Sequence, residues 1–255
     1  MKMPNTIEPV NRNYKLTIQY DGTHYFGWQT QAKGRTVQGE IERALSEIFP
    51  NQKITLYGSG RTDSGVHALD QVANVHLQSA MAPSVLQKAL NSKLGNDVLI
   101  SKCSLTADNF NARHSAVART YIYNISQQYS PFNRNTNWII NYKVDPSILS
   151  DCASKVIGNR DFTAFCKAKA EVNHKWCVVS ESRWDFQSDQ LTYTITANRF
   201  LQHMVRFLVG TMIEVARGRM TMDDFTLLLD DDHPTLSVYR APAKGLFLLK
   251  VQYQD

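Results

Sequence analysis

The sequence predicts an α+β protein built from two ferredoxin-like halves, each running βαββαβ, around a central antiparallel sheet. Three observations lead there. Segments with strict two-residue alternation recur along the chain, at 14–20, 71–78 and 120–126, and that period is the mark of a half-buried strand. Between such segments lie stretches with apolar residues at three- and four-residue spacing, several of them opened by a capping residue or a proline. The succession found over residues 14–104 then recurs over residues 120–253.

The elements follow in order. Tyr14, Leu16, Ile18 and Tyr20 share one face of the first strand, with Lys15, Thr17 and Gln19 on the other, and Asp21-Gly22 turns the chain. A loop holding Gly27 and Gly34 follows. Thr36 caps a helix whose apolar face is Val37, Ile41, Leu45 and Ile48, and Pro50 closes it. Residues 53–57 read as a short strand, and a tight polar loop runs from Gly58 to Gly65. The strand 71–78 has Ala73, Val75 and Leu77 on one face. Pro83 opens a helix with Val85, Leu86, Ala89 and Leu90, and residues 97–104 form a further strand.

The second half starts with a strand at 120–126. Pro146 opens a helix with Ile148, Leu149, Cys152 and Val156, stopped by Gly158. Residues 176–186 and 191–197 pair as strands across the polar segment 187–190. Residues 201–216 form the longest and most apolar helix, Thr221 caps a short one, and residues 246–253 close the chain as a strand. The junction of the halves lies near residues 105–118. Residues 1–12 are then a polar tail, expected to be disordered, 13–107 the N-terminal half with the glycine-rich loop, and 108–255 the C-terminal half. The halves share a pattern and not an identity of residues.

Composition bounds the function. At 255 residues, with 43% hydrophobic and 20% charged residues, the chain is an ordinary globular protein. No apolar run approaches the ~18 residues of a membrane helix. The start, with Pro4 and Pro9, lacks the apolar stretch of an export signal. The four cysteines, Cys103, Cys152, Cys166 and Cys177, form no Cys-x-x-Cys pair. They read as reduced thiols of a cytoplasmic protein. A formal charge of +5 hints at a polyanionic partner but equally suits a solubilising surface.

Three stretches can carry chemistry. The first is Gly58-Ser-Gly-Arg-Thr-Asp-Ser-Gly65, three glycines in eight residues, which lets backbone approach a ligand closely. No Lys-Ser/Thr follows and the next element is a strand, so it is neither a phosphate loop nor a dinucleotide fingerprint. Its carboxylate, Asp63, stands two residues from Arg61. Asp63 is either an ionised nucleophile or general base, or the cap of a turn. The second is Arg119-Thr-Tyr-Ile-Tyr123, where alternation puts Tyr121 and Tyr123 on one face, either to stack on a nucleobase or to fill the core. The third is the apolar helix after Leu201. Arg199, His203 and Arg206 line one stripe there. Arg206 needs an anion, which can be a structural acid, a catalytic carboxylate or an RNA phosphate. His174 with Cys177 is a poor start for a zinc site, since no four-ligand framework surrounds it.

Residues 58–68 resemble the signature loop of the tRNA pseudouridine synthase A family. Further motifs agree in the right order between about Asn13 and Tyr253: Tyr20-Asp-Gly-Thr-His-Tyr-Phe-Gly-Trp-Gln29, Thr36-Val-Gln38, Phe110-Asn-Ala-Arg113 through Arg119-Thr-Tyr121, Leu201-Gln-His-Met-Val-Arg206 and Ala241-Pro-Ala-Lys-Gly-Leu246. The resemblance implies two halves about a pseudo-twofold axis and a homodimer whose subunits share one tRNA. It implies isomerisation of uridine to pseudouridine at positions 38, 39 and 40 of the anticodon stem-loop, without metal or cofactor. Asp63 matches the nucleophile, Arg61 and Arg206 the arginines that keep it ionised and bind near the target phosphate, Tyr121 the tyrosine that stacks on the target uracil, and Leu246 an apolar pocket residue. Arg113, His67 and Gln29 match further substrate contacts. The sequence departs from the family at Asn111, often His, at Thr120, often basic, and at Lys175-Trp-Cys177, where Arg-Thr is usual. The rival readings are a non-catalytic RNA-binding module of the same fold and a small-molecule enzyme with Asp63 as base. The first would carry an aromatic RNP1 strand, and residues 71–78 hold no aromatic at all.

Overall fold

The computed structural model describes residues 10–167, 174–230 and 235–254. Among the described residues ten strands form one mostly antiparallel sheet. They are β1 (Asn11–Tyr20), β2 (Tyr57–Gly58), β3 (His67–Gln78), β4 (Val98–Thr106), β5 (Ala116–Ser126), β6 (Trp138–Ile139), β7 (Gly158–Asp161), β8 (Trp176–Gln187), β9 (Gln190–Ala197) and β10 (Leu246–Tyr253). Along the main path the order is β4-β1-β3-β10-β5-β9-β8-β7, with β2 on β3 and β6 on β5. Only β10–β3 and β5–β6 are parallel. The last strand of the chain thus lies between β3 and β5 at the centre. It stitches the N-terminal strands to the rest through Phe247 opposite His67 and Leu248 opposite Ala68.

Among the described residues five α-helices cover this sheet: α1 (Val37–Ile48), α2 (Pro83–Asn91), α3 (Pro146–Val156), α4 (Met204–Ala216) and α5 (Met222–Asp230). The starts of α1, α2, α3 and α5 have local causes. Thr36 Oγ1 accepts from Gly39 N at 3.3 Å, and Asp145 Oδ1 accepts from Ser147 N at 2.8 Å. Pro83 and Pro146 open their helices where no intrahelical N–H is needed. Thr221 and Asp224 cap reciprocally, Asp224 N to Thr221 Oγ1 at 3.1 Å and Thr221 N to Asp224 Oδ2 at 3.2 Å. The residues on the expected faces are buried: Tyr14, Leu16, Ile18 and Tyr20 on β1, Ala73, Val75 and Leu77 on β3, and Tyr121 and Tyr123 on β5; on β3 the opposite face is buried as well, at Val72 and Asn74. They share one continuous hydrophobic cluster with the apolar stripes of all five helices. Burial of this kind stabilises by roughly 25 cal/mol per Å² of apolar surface.

Some boundaries differ from the sequence reading. Strand β1 begins at Asn11, so Asn11 and Arg12, expected in the tail, are ladder residues opposite Gln78 and Leu77. Residues 53–56 are not a strand. Their backbone is met by side chains of α1, Leu56 N donating to Glu42 Oε1 at 3.2 Å and Gln38 Nε2 to Leu56 O at 3.1 Å. Helix α4 starts at Met204 and not at Leu201, because His203 adopts a left-handed conformation with φ 68°. The short strands β6 and β7 carry too few residues to show a period.

Candidate active site

Asp63 sits in the loop between β2 and β3, and that loop is moulded on the turn that follows β1. Trp28 N donates to Thr62 O at 3.1 Å. Gly65 N and Ser64 Oγ both donate to Tyr25 O, at 3.2 and 3.1 Å. From below, Gln71 accepts from Ser59 Oγ at 2.6 Å and donates to Gly60 O at 3.1 Å, while Thr62 Oγ1 and the Tyr20 hydroxyl lie 2.8 Å apart. Of the three loop glycines only Gly65 takes a positive φ, 78°. Gly58 is needed for room, since a Cβ there would stand 2.5 Å from Trp28 Nε1. Around Gly60 a Cβ would meet nothing within 4 Å, so this stretch of backbone borders open space.

Two side chains from the far end of the chain converge on Asp63. His203 Nδ1 lies 2.7 Å from Asp63 Oδ2, and Arg206 Nη1 donates to the same oxygen at 3.1 Å. Among the described residues nothing donates to Oδ1. Burial pushes the Asp63 carboxyl up, but the hydrogen bond and charge of His203, followed by the Arg206 guanidinium, outweigh it and leave it below the usual carboxylate range. The carboxylate is therefore ionised at neutral pH, with one oxygen pinned and the other available.

Arg206 is itself aimed by the backbone. It is buried in α4, a helix apolar on nearly every side. Its Nε donates to Ala241 O at 2.9 Å, and its own carbonyl accepts from Ala241 N at 3.0 Å. Gly210, one turn on, lets this strap approach, for a Cβ there would lie 2.1 Å from Tyr239 O. The sequence left three anions open for Arg206, and the fold brings it to Asp63.

Tyr121 is buried on β5, its ring edge-on to Phe200 at 5.0 Å. Burial and then the Asp63 charge raise its hydroxyl pKa, so the phenol stays neutral. Leu246 pairs with Tyr123 and Leu248 with Tyr121, which brings Leu246 beside the same strand. Arg119 is a clamp, with Nη2 donating to Ser59 O at 2.9 Å and to Arg113 O at 2.8 Å, and Nη1 to Asn198 O at 3.0 Å.

Other expected site residues stand apart. Arg61 is exposed and forms no ion pair among the described residues. Arg61 lies at the surface while Thr62 is buried, and the groups that hold Asp63 are His203 and Arg206. His67 sits as a strut between two loops. It is 2% exposed and stacked on Phe247 at 4.5 Å. Its Nδ1 accepts from Gly22 N at 3.1 Å and its Nε2 donates to Asn135 O at 3.0 Å, so neither nitrogen is free. Arg113 and Gln29 are exposed. Asn111 caps the turn that holds Arg113, accepting from Arg113 N at 2.9 Å and His114 N at 3.1 Å. The Thr120 hydroxyl lies 2.9 Å from that of Thr196. Cys177 is fully buried and His174 exposed, and among the described residues no three His, Cys, Asp or Glu side chains converge to hold a metal. The sequence names His203 only as a member of a stripe and gives it no role of its own. Its place on the Arg199–His203–Arg206 stripe was the available signal.

A family profile described as tRNA pseudouridine synthase matches residues 16–115 and 152–254. The chain belongs to the tRNA pseudouridine synthase family. Asp63, His203 and Arg206 all lie inside the matched segments, and Tyr121 falls between them. Relatives at full length agree. The chain is 38% identical over 253 residues to tRNA pseudouridine synthase A of Thermodesulfovibrio yellowstonii, covering 94% of this chain and 99% of that one. It is 37% identical over 247 residues to the protein of the same name from Brachyspira hyodysenteriae, covering 95% and 99%. To that from Chlorobium chlorochromatii it is 38% identical over 243 residues, covering 95% and 100%. Membership of the tRNA pseudouridine synthase family makes the chain an isomerase. Among the described residues no helix is long and apolar enough to cross a membrane.

Proposed function

We propose that this protein converts uridine to pseudouridine at positions 38, 39 and 40 of the tRNA anticodon stem-loop, with Asp63 as the nucleophile. The observation that carries the reading is the ionised Asp63 carboxylate, held by Arg206 and His203 through Oδ2 alone, beside the neutral Tyr121. Such a group can attack carbon at neutral pH without first losing a proton. The target base first leaves its stack, which costs roughly a few kcal/mol, and an aromatic ring in the pocket offsets part of that.

The chemistry is an isomerisation. The N1–C1′ bond breaks with its electron pair on the uracil, the base turns, and a C5–C1′ bond forms. The C5 hydrogen leaves as a proton and N1 regains one, so no oxidant, reductant or metal enters the balance. Asp63 attacks either C1′ of the ribose or C6 of the uracil, and the carbon–oxygen bond so formed breaks again before the product leaves, with its electron pair returning to the carboxylate.

The reading of the fold as two ferredoxin-like halves is supported by the strand neighbours. β4, β1, β3 and β2 adjoin in that order, and β10, β5, β9 and β8 repeat it. A homodimer sharing one tRNA completes the proposal, and phosphate contacts then make binding weaken as salt rises.

The test is tritium release from a tRNA transcript labelled at C5 of uridine, with the natural protein and with Asp63→Ala. Release by the first and none by the second supports both reaction and nucleophile. Binding of tRNA without release by the natural protein would favour a non-catalytic RNA-binding module.

A further inference from the structure

We propose that His203 is a positioning residue of this active site, whose side chain fixes which oxygen of Asp63 is free to react; the inference rests on the pseudouridine synthase reading above. Three independent features of the structure converge on it. The first is the contact. His203 Nδ1 stands 2.7 Å from Asp63 Oδ2, shorter than the 3.1 Å from Arg206 Nη1. A nitrogen facing an ionised carboxylate at that distance is the donor, so His203 carries its proton on Nδ1.

The second feature is the backbone. His203 and Ser188 are the only described non-glycine residues with a positive φ, and His203 takes 68°. A residue with a Cβ in the left-handed region costs roughly 1–3 kcal/mol, and the surroundings must impose it. Here the conformation ends the incoming segment and starts α4 at Met204, so that the imidazole leaves the helix axis toward Asp63.

The third feature is a cap not made. His203 is the N-cap of α4, yet its side chain makes no capping hydrogen bond to the helix. The ring is spent on Asp63, and is steadied by Phe207, edge-on at 6.0 Å. Its side chain is 12% exposed and that of Asp63 19%, so water competes weakly for this bond.

The division of labour follows from geometry. Arg206 supplies full charge but only one of its terminal nitrogens reaches Asp63, from one direction. One donor leaves the carboxylate free to swing about its Cβ–Cγ bond. A second donor on the same oxygen, from a different side chain, removes that freedom and leaves Oδ1 facing the open side. His203 thus acts on orientation, with no contact to substrate required.

The test separates the backbone from the donor. His203→Gly keeps the left-handed turn at no steric cost and removes the donor. His203→Asn keeps an N–H close to the position of Nδ1 and also tolerates the left-handed region. Single-turnover tritium release and tRNA affinity are measured for both, beside the natural protein, with thermal melting as the check on folding. We expect the single-turnover rate of His203→Gly to fall roughly ten- to a hundredfold, the worth of one hydrogen bond to a charged group. We expect tRNA affinity unchanged and His203→Asn to recover most of the rate. Glycine turning over at the natural rate would overturn the inference and leave His203 a structural turn residue. Asparagine as slow as glycine, with both folded, would overturn it as well. If the natural protein itself releases no tritium, the functional reading fails and not this one alone.

Discussion

Arg206 Nη1 lies 3.1 Å from Asp63 Oδ2 across 143 residues of chain. The two meet because β10 lies between β3 and β5, which brings the loop before β3 and the strap before β10 to one place. The strap holds the Arg206 backbone and its Nε together at Ala241, and the guanidinium has little choice of direction.

Arg206→Ala should therefore cost turnover more than tRNA binding. A displaced nucleophile loses roughly 10²-fold in rate even where substrate still docks. Single-turnover rates and filter binding on the same preparations check it. Equal losses in rate and affinity would move Arg206 from the nucleophile to the tRNA backbone.

The acid dependence of stability should carry the signature of Asp63. Its folded carboxyl is held below the ordinary range, with burial opposing and His203 and Arg206 prevailing. A depressed carboxyl adds stability that is present above its unfolded pKa and lost as pH falls through the folded one. The melting temperature of the natural protein should exceed that of Asp63→Asn at neutral pH. The gap should close only at pH values below the usual aspartate range. A gap that widens on acidification would contradict the ion pair.

Gly27→Ala should impair the site without touching a reacting group. Gly27 has φ 94°, and a Cβ there would stand 2.6 Å from Thr62 O, next to Asp63. The strain amounts to roughly 1–3 kcal/mol, and relief requires the Asp63 loop to move. A lower Tm together with slower tritium release is expected. A stable variant with full activity would show that the loop tolerates displacement.

The thiols should be inert in the folded protein. Burial pushes Cys152 up to about 12 and Cys103 and Cys177 up to about 11. At pH 8 almost no thiolate is present, and thiolate is the reactive form. Labelling with a thiol reagent should be slow in buffer and fast in denaturant. Rapid native labelling of Cys177 would indicate that its strand opens.

The sequence by itself determined what is local. Two-residue alternation exposed the buried faces of β1, β3 and β5, since side chains of a strand point to opposite sides whatever their partner. Thr36, Pro83 and Pro146 marked helix starts because capping is settled within a few residues. Asp63, Tyr121 and Arg206 stood out as chemistry lacking a partner, and the ordered motifs named a family.

The tertiary structure decided the partners. Which anion Arg206 meets depends on the strand order, and strand order is set by contacts far apart in sequence. Arg61 and His67, both inside the signature loop, make no hydrogen bond to Asp63, because one lies at the surface and the other is locked between backbone groups of two loops. His203 joins Asp63 through a left-handed backbone, uncommon for any residue with a Cβ though less disfavoured for histidine than for most, and its tertiary surroundings hold it there.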